Sequence, residues 1–197
     1  MPRNCPTDGS VTTSEQVIDA TPHLTPELIA EVSSLVAGYI TAQREEALPL
    51  AVPLSPAQRA SLDSFFLPQV LDTRLLVLTE SRVVNPPFYV PLQRMGFTNL
   101  PNFSTMAAVT FYEVVVSHEP FSDGLLFHEL VHVEQYRQLG ITRFAELYVR
   151  GFLSGGGYNG IPLEINAYGL GGRFERSPQA RFSVAKEVGA WVRDGRF

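Results

Sequence analysis

Leu125-Leu126-Phe127-His128-Glu129-Leu130-Val131-His132-Val133-Glu134-Gln135-Tyr136 is the stretch whose reading decides the rest of the chain. It is an apolar run with His-Glu-x-x-His set into it, and the spacing predicts a helix. His128 and His132 are four apart, so on a helix they stand one above the other on one face. Two imidazoles so placed can hold one metal ion, at Zn–N distances of about 2.0–2.1 Å. Glu129 is turned roughly 100° from His128 on a 3.6-residue helix. From there its carboxylate reaches a metal-bound water without taking a coordination position. A metal that acidifies water beside a carboxylate that takes its proton is the arrangement of a zinc-dependent hydrolase. The plainer explanation, two inert histidines in a core, would require separate polar partners for two His and a Glu inside an apolar helix.

Two His leave a tetrahedral metal short, because a catalytic site has three protein ligands and one water. No His follows His132, so the downstream candidates are Glu134, Glu146, Glu164, Glu175, Glu187 and Asp194. Glu134 points off the His face, and Glu146 lies too near the start of the next helix to fold back. Glu164 opens a helix that arrives after a helix–turn return, which can bring it alongside the first. Ala167, one turn on, is small enough for close approach. Glu164 is therefore the expected third ligand, with His118 as the upstream reserve.

The other elements follow from caps and periodicity. Thr25-Pro26-Glu27 starts a helix that runs to about Ala47 with Leu28, Ile29, Val32, Leu35, Val36, Tyr39 and Ile40 at the spacing of a core-facing side. Ser55-Pro56-Ala57-Gln58 starts a second, through Phe65-Phe66 to a break at Pro68. Residues 73–84 read as a strand or two, 85–102 as an irregular loop that carries exposed aromatics (Phe88, Tyr89, Phe97, Phe103) and forms a flap over the core or a wall of the substrate cleft, and Ala107 to Val116 as the best strand. Ser122 or Asp123 caps the His-Glu helix and Gly140 ends it. Thr142 caps a further helix to about Leu153, and a glycine-rich bend over 154–160 follows. Ile161-Pro162-Leu163 opens the glutamate-bearing helix to about Arg176, and Ser177-Pro178 begins a last one. The expected fold is α+β and mainly helical: five or six helices around a small strand region that precedes the His-Glu helix.

The 197 residues suit one domain, residues 25–197, behind a loose lead-in over 1–24 that includes His23, to which no role is given. The net charge of −5, with no block of like charge, argues against nucleic acid or an anionic membrane as partner. No apolar run approaches the ~20 residues of a spanning helix, and the polar N-terminus lacks the apolar core of a secretory signal. Cys5 is the only cysteine, which excludes an internal disulfide and makes a reducing, cytoplasmic setting the default.

His128-Glu129-Leu130-Val131-His132, followed at a distance by Glu164-Ile165-Asn166-Ala167-Tyr168, resembles the gluzincin zinc metallopeptidases, whose type member is thermolysin, in compact forms such as the minigluzincins. The resemblance spans roughly residues 105–176 in element order, and its specific part is the His-Glu-x-x-His motif. It implies a zincin-like core and one Zn²⁺ on His128, His132 and Glu164. It also implies Glu129 as general base and acid, and a peptide or protein substrate lying along the strand around Phe111–Val116. Many gluzincins carry an Asp four residues after the glutamate ligand. Tyr168 stands there in this chain, so the support of the first His must differ, with Asn166 a candidate. The family's downstream oxyanion-binding His is absent. Tyr168, Tyr158, Arg150 or His118 could donate in its place, and Tyr168 is favoured because it shares a face with Glu164.

Two other readings use the same residues. Two His and a carboxylate also form the facial triad of non-haem Fe(II) oxygenases, although such an enzyme has no use for a water-activating Glu129. A metal-stabilised binding domain would need a closed site of four protein ligands, with His118 as the fourth.

Overall fold

In a computed structural model, residues 25–97, 99–153 and 157–197 are described. The lead-in over 1–24, with Cys5 and His23, lies outside them, as do 154–156 of the glycine-rich bend. The fold is α+β and mainly helical, with a small mixed sheet.

Helix α1 spans Pro26–Ala47, and the Thr25 hydroxyl accepts from Leu28 N at 3.2 Å, as the Thr-Pro-Glu signal predicts. A short β1 (Val52–Pro53) leads to α2 (Pro56–Leu62), which is held at its start by a reciprocal Ser55–Gln58 capping box. The second helix is shorter than expected. It stops at Leu62, and Phe65 and Phe66 turn inward to pack on Phe127. Pro68 then opens α3 (Pro68–Leu71) instead of ending a helix, since proline needs no amide partner in a first turn.

Strand β2 covers only Arg74–Val77. The 85–102 segment is not wholly irregular: it contains α4 (Tyr89–Arg94), and its aromatics are not exposed, since Tyr89 is buried and Phe88, Phe97 and Phe103 are half-buried. The single strand expected over 107–116 is a hairpin, β3 (Ala108–Phe111) and β4 (Val114–Ser117). The turn falls at Tyr112-Glu113, where Tyr112 adopts φ +61°, an uncommon conformation for a residue with a side chain. The sheet order is β1-β2-β4-β3, with β2 and β4 parallel and the other pairs antiparallel. Strand β4 is therefore interior and buried at every residue, which explains its unbroken Val-Val-Val run. The strand at the sheet's edge is β3, so Val114–Val116 cannot be the edge that receives an extended peptide.

Helix α5 (Asp123–Gly151) carries the His-Glu motif and takes its N-cap from Ser122, whose hydroxyl accepts from Leu125 N at 3.1 Å. Gly140 (φ 72°, ψ 165°) leaves helical geometry, so α5 consists of two helices joined across a kink at the glycine expected to end the first, and the helix predicted from Thr142 is its second half. After a tight turn at Tyr158–Gly160, α6 (Pro162–Arg176) returns alongside α5. Gly151 permits that return. A Cβ there would stand 2.6 Å from Pro162 Cδ and 3.2 Å from Ile161 Cα, so only glycine lets the start of α6 come so near. Further along, Phe127 and Phe174 stack at 4.3 Å between the two helices, and Ala167 is fully buried. The last helix, α7 (Val184–Arg193), begins later than Ser177, with Ser183 as its cap. Among the described residues no helix is long and apolar enough to cross a membrane.

Candidate metal centre

Three elements converge on one point. The first half of α5 presents His128 and His132 on one face, the first turn of α6 brings Glu164 to them, and β3 supplies Thr110 from the side. His132 Nε2 lies 3.1 Å from His128 Nε2. Glu164 Oε2 lies 3.5 Å from His128 Nε2 and 3.3 Å from His132 Nε2. Atoms about 2.0–2.1 Å from a common tetrahedral centre stand about 3.3–3.4 Å apart, so the three atoms have the spacing of a metal's coordination face.

The hydrogen bonds around His132 sharpen the point. Its Nδ1 lies 2.9 Å from Gln135 Oε1, while Gln135 Nε2 donates to Leu163 O at 2.9 Å and to Asn166 Oδ1 at 3.0 Å. With the amide so oriented, Nδ1 carries a proton that it donates to Gln135, so Nε2 is the nitrogen open to a metal or, without one, to a second proton. That nitrogen faces Glu164 Oε2, a fully buried oxygen with no hydrogen-bond donor among the described residues. Contacts of 3.3 and 3.5 Å are longer than the roughly 2.7–2.9 Å of a charge-assisted hydrogen bond. A buried carboxylate oxygen and two imidazole nitrogens pointed at one another are too rich in acceptors for a core and suited to a cation. The triad could hold a metal ion.

The field of the site says the same. Burial opposes a charge on His132, yet the neighbouring Glu164 carboxylate outweighs it and pushes the imidazole up to about 9. Burial alone would raise Glu164, but His132 and His128 hold its carboxyl well below the usual range. In the absence of metal the three atoms call for one positive charge, which a proton supplies; a divalent cation would compete with that proton.

Glu129 is buried, and its Oε2 accepts from Thr110 Oγ1 at 2.6 Å. Tyr168 is exposed, but its ring lies 4.4 Å from that of His128. For Tyr158, burial and then the nearby Glu164 charge push the phenol far above its ordinary range, and a side-chain hydrogen bond with Tyr168 adds to the shift. Two cavities meet here. An inner one of about 110 Å³ is apolar, and an outer one of about 680 Å³ opens beside Tyr168, Gly171 and Gly172. His128, Glu129 and Tyr158 border both.

His118, the reserve ligand and candidate donor, is corrected. Its Nε2 accepts from Val83 N at 3.0 Å and its Nδ1 lies 2.7 Å from Met106 O. Both nitrogens serve the backbone, so neither is left for a metal or a substrate. Arg150 pairs with Glu146 at 2.8 Å. Glu134 is buried but bonded to Arg137 and Gln138, Glu187 pairs with Arg173, and Asp194 with Arg196. Glu175 reaches only the rim of the outer cavity.

Gln135 and Thr110 are not among the site residues expected from the sequence. Gln135 sits three residues after His132 and shares its face, a spacing that could have revealed it. Thr110 could not be found that way, because only the β3–α5 contact brings it to Glu129.

Compared with family models, curated proteins and solved structures, the chain matches none of them.

Proposed function

We propose that the chain is a zinc-dependent hydrolase of peptide or related amide bonds, with a zincin-like core of strand, His-Glu helix and glutamate helix. The observation that carries this reading is the buried Glu164 oxygen, without a donor among the described residues, facing two imidazole nitrogens one helical turn apart. Held by His128, His132 and Glu164, zinc would act as the Lewis acid that lowers the pKa of water towards ~7 and polarises a carbonyl.

The protein's own groups supply the rest. Thr110 holds Glu129 Oε2 and leaves Oε1 to take a proton from the attacking water and return it to the departing amine. Gln135 keeps the His132 proton on Nδ1. Tyr158 and Tyr168 are the phenols placed to donate to the carbonyl oxygen as it gains charge, and the raised pKa of Tyr158 keeps it a donor. The edge of β3 is where an extended peptide would pair.

The iron-oxygenase alternative gives Glu129 no task, so its anchoring beside the triad favours hydrolysis. Metal analysis of protein purified without added metal separates the two. Glu129→Gln should bind zinc one-to-one and fail to cleave any member of a peptide library that the parent cleaves. Full activity in that variant would remove Glu129 from the mechanism.

A further inference from the structure

The inner cavity extends well beyond what a metal site requires. Leu28, Val32, Val36, Tyr39 and Ile40 all border it along one stripe of α1. From Leu28 to Ile40 a helix rises about 18 Å. The same cavity is bordered by His128, Glu129 and His132 at one end and by Val149, Phe152 and Leu153, beyond the Gly140 kink, at the other. Its distal half is hydrocarbon: Val32, Leu92 and Val149 form an apolar cluster with Leu28, Phe97 and Leu153. The hydroxyl of Tyr39 is turned away from it, bonded to Val84 O. Along that length the lining is predominantly apolar.

A short peptide side chain would reach only the part beside His128 and Glu129, whereas a long alkyl chain can also contact the apolar cluster of Val32, Leu92 and Val149. We infer that the inner cavity takes the alkyl chain of an N-acylated peptide or amine, with the acyl carbonyl at the triad and the amine portion in the outer cavity. This rests on the hydrolase reading for its chemistry. The oxygen of water bonds to the acyl carbon, the C–N bond breaks, and Glu129 carries the proton from water to the amine. The products are a fatty acid and a free amine.

The test separates the channel from the chemistry by using neutral probes. Hexanol, octanol, decanol and dodecanol are titrated calorimetrically into metal-free and zinc-loaded protein. Affinity should rise about fourfold per methylene in both forms, with benzyl alcohol binding no better than hexanol. Val32→Phe should abolish the gain beyond octanol while zinc affinity stays unchanged. The length series on the parent protein decides the matter if that variant fails to fold. An N-decanoyl peptide should be cleaved with higher kcat/KM than its N-acetyl counterpart. Length-dependent binding with no amide cleaved supports the channel and defeats the hydrolase. Cleavage of unacylated peptides, with alcohol affinity flat beyond hexanol or matched by benzyl alcohol, overturns the channel and leaves the hydrolase.

Discussion

Gln135 Oε1 accepts the Nδ1 proton of His132 at 2.9 Å, and the amide nitrogen of Gln135 is tied to α6 through Leu163 O and Asn166 Oδ1. One side chain thus sets the tautomer of a ligand on α5 and joins α5 to the turn that carries Glu164. Substituting Gln135→Ala should lower zinc affinity by about 10–100-fold, measured by competition with a chromophoric chelator. It should also destabilise the fold by about 1–3 kcal/mol, because a buried carbonyl loses its donor. Gln135→Glu, which keeps the acceptor for His132, should recover affinity better than stability. Equal loss of both in the two variants would reduce Gln135 to packing.

Gly151 decides how closely the start of α6 approaches α5. A methyl group at this position meets the Pro162 ring at 2.6 Å, and neither a proline ring nor the Ile161 backbone yields easily. Gly151→Ala should cost about 1–3 kcal/mol as overpacking, despite alanine's better helix propensity. Because Glu164 lies two residues beyond Pro162, zinc affinity should fall as well. A more stable variant with unchanged affinity would show that the close approach does not position Glu164.

His118 is the internal control. Removing its imidazole leaves Val83 N without an acceptor and Met106 O without a donor. His118→Ala should therefore lower stability by about 1–3 kcal/mol for each orphaned group and leave zinc stoichiometry and affinity unaltered. Loss of bound zinc from a folded His118→Ala protein would restore it as a ligand.

Acid should loosen α1 from the hairpin. Glu113, in the β3–β4 turn, accepts from Arg44 Nε at 2.7 Å and from its Nη2. Burial raises the Glu113 carboxyl, but the Arg44 guanidinium outweighs it, so the folded value lies below the ordinary 4.5. A depressed folded pKa contributes stability above the unfolded value, and that contribution is lost as pH falls through the folded one. Thermal melts should thus show the gap between parent and Glu113→Gln closing as pH drops below about 4.5. A gap independent of pH would mean that the ion pair contributes nothing by its charge.

Much of the site is written in local sequence. The period of 3.6 places His128 and His132 on one face, Ser122 marks where that helix starts, and the Pro162 start with a small Ala167 points to Glu164. These features rest on interactions within a few residues of chain, which caps and periodicity report directly. What lay beyond that range needed the tertiary structure. The hairpin inside residues 107–117 was hidden because its second strand, paired on both sides and buried on both faces, shows no alternation. The motif marks Glu129 at once, whereas in sequence His118 stands only as a reserve ligand and candidate donor. Packing alone gave His118 two backbone partners and Glu129 a single threonine anchor. The depth of the inner cavity, formed where α1 and the far half of α5 meet, depends on residues more than 100 positions apart. No local pattern encodes a void, because it is the space left between elements whose mutual distance only their packing sets.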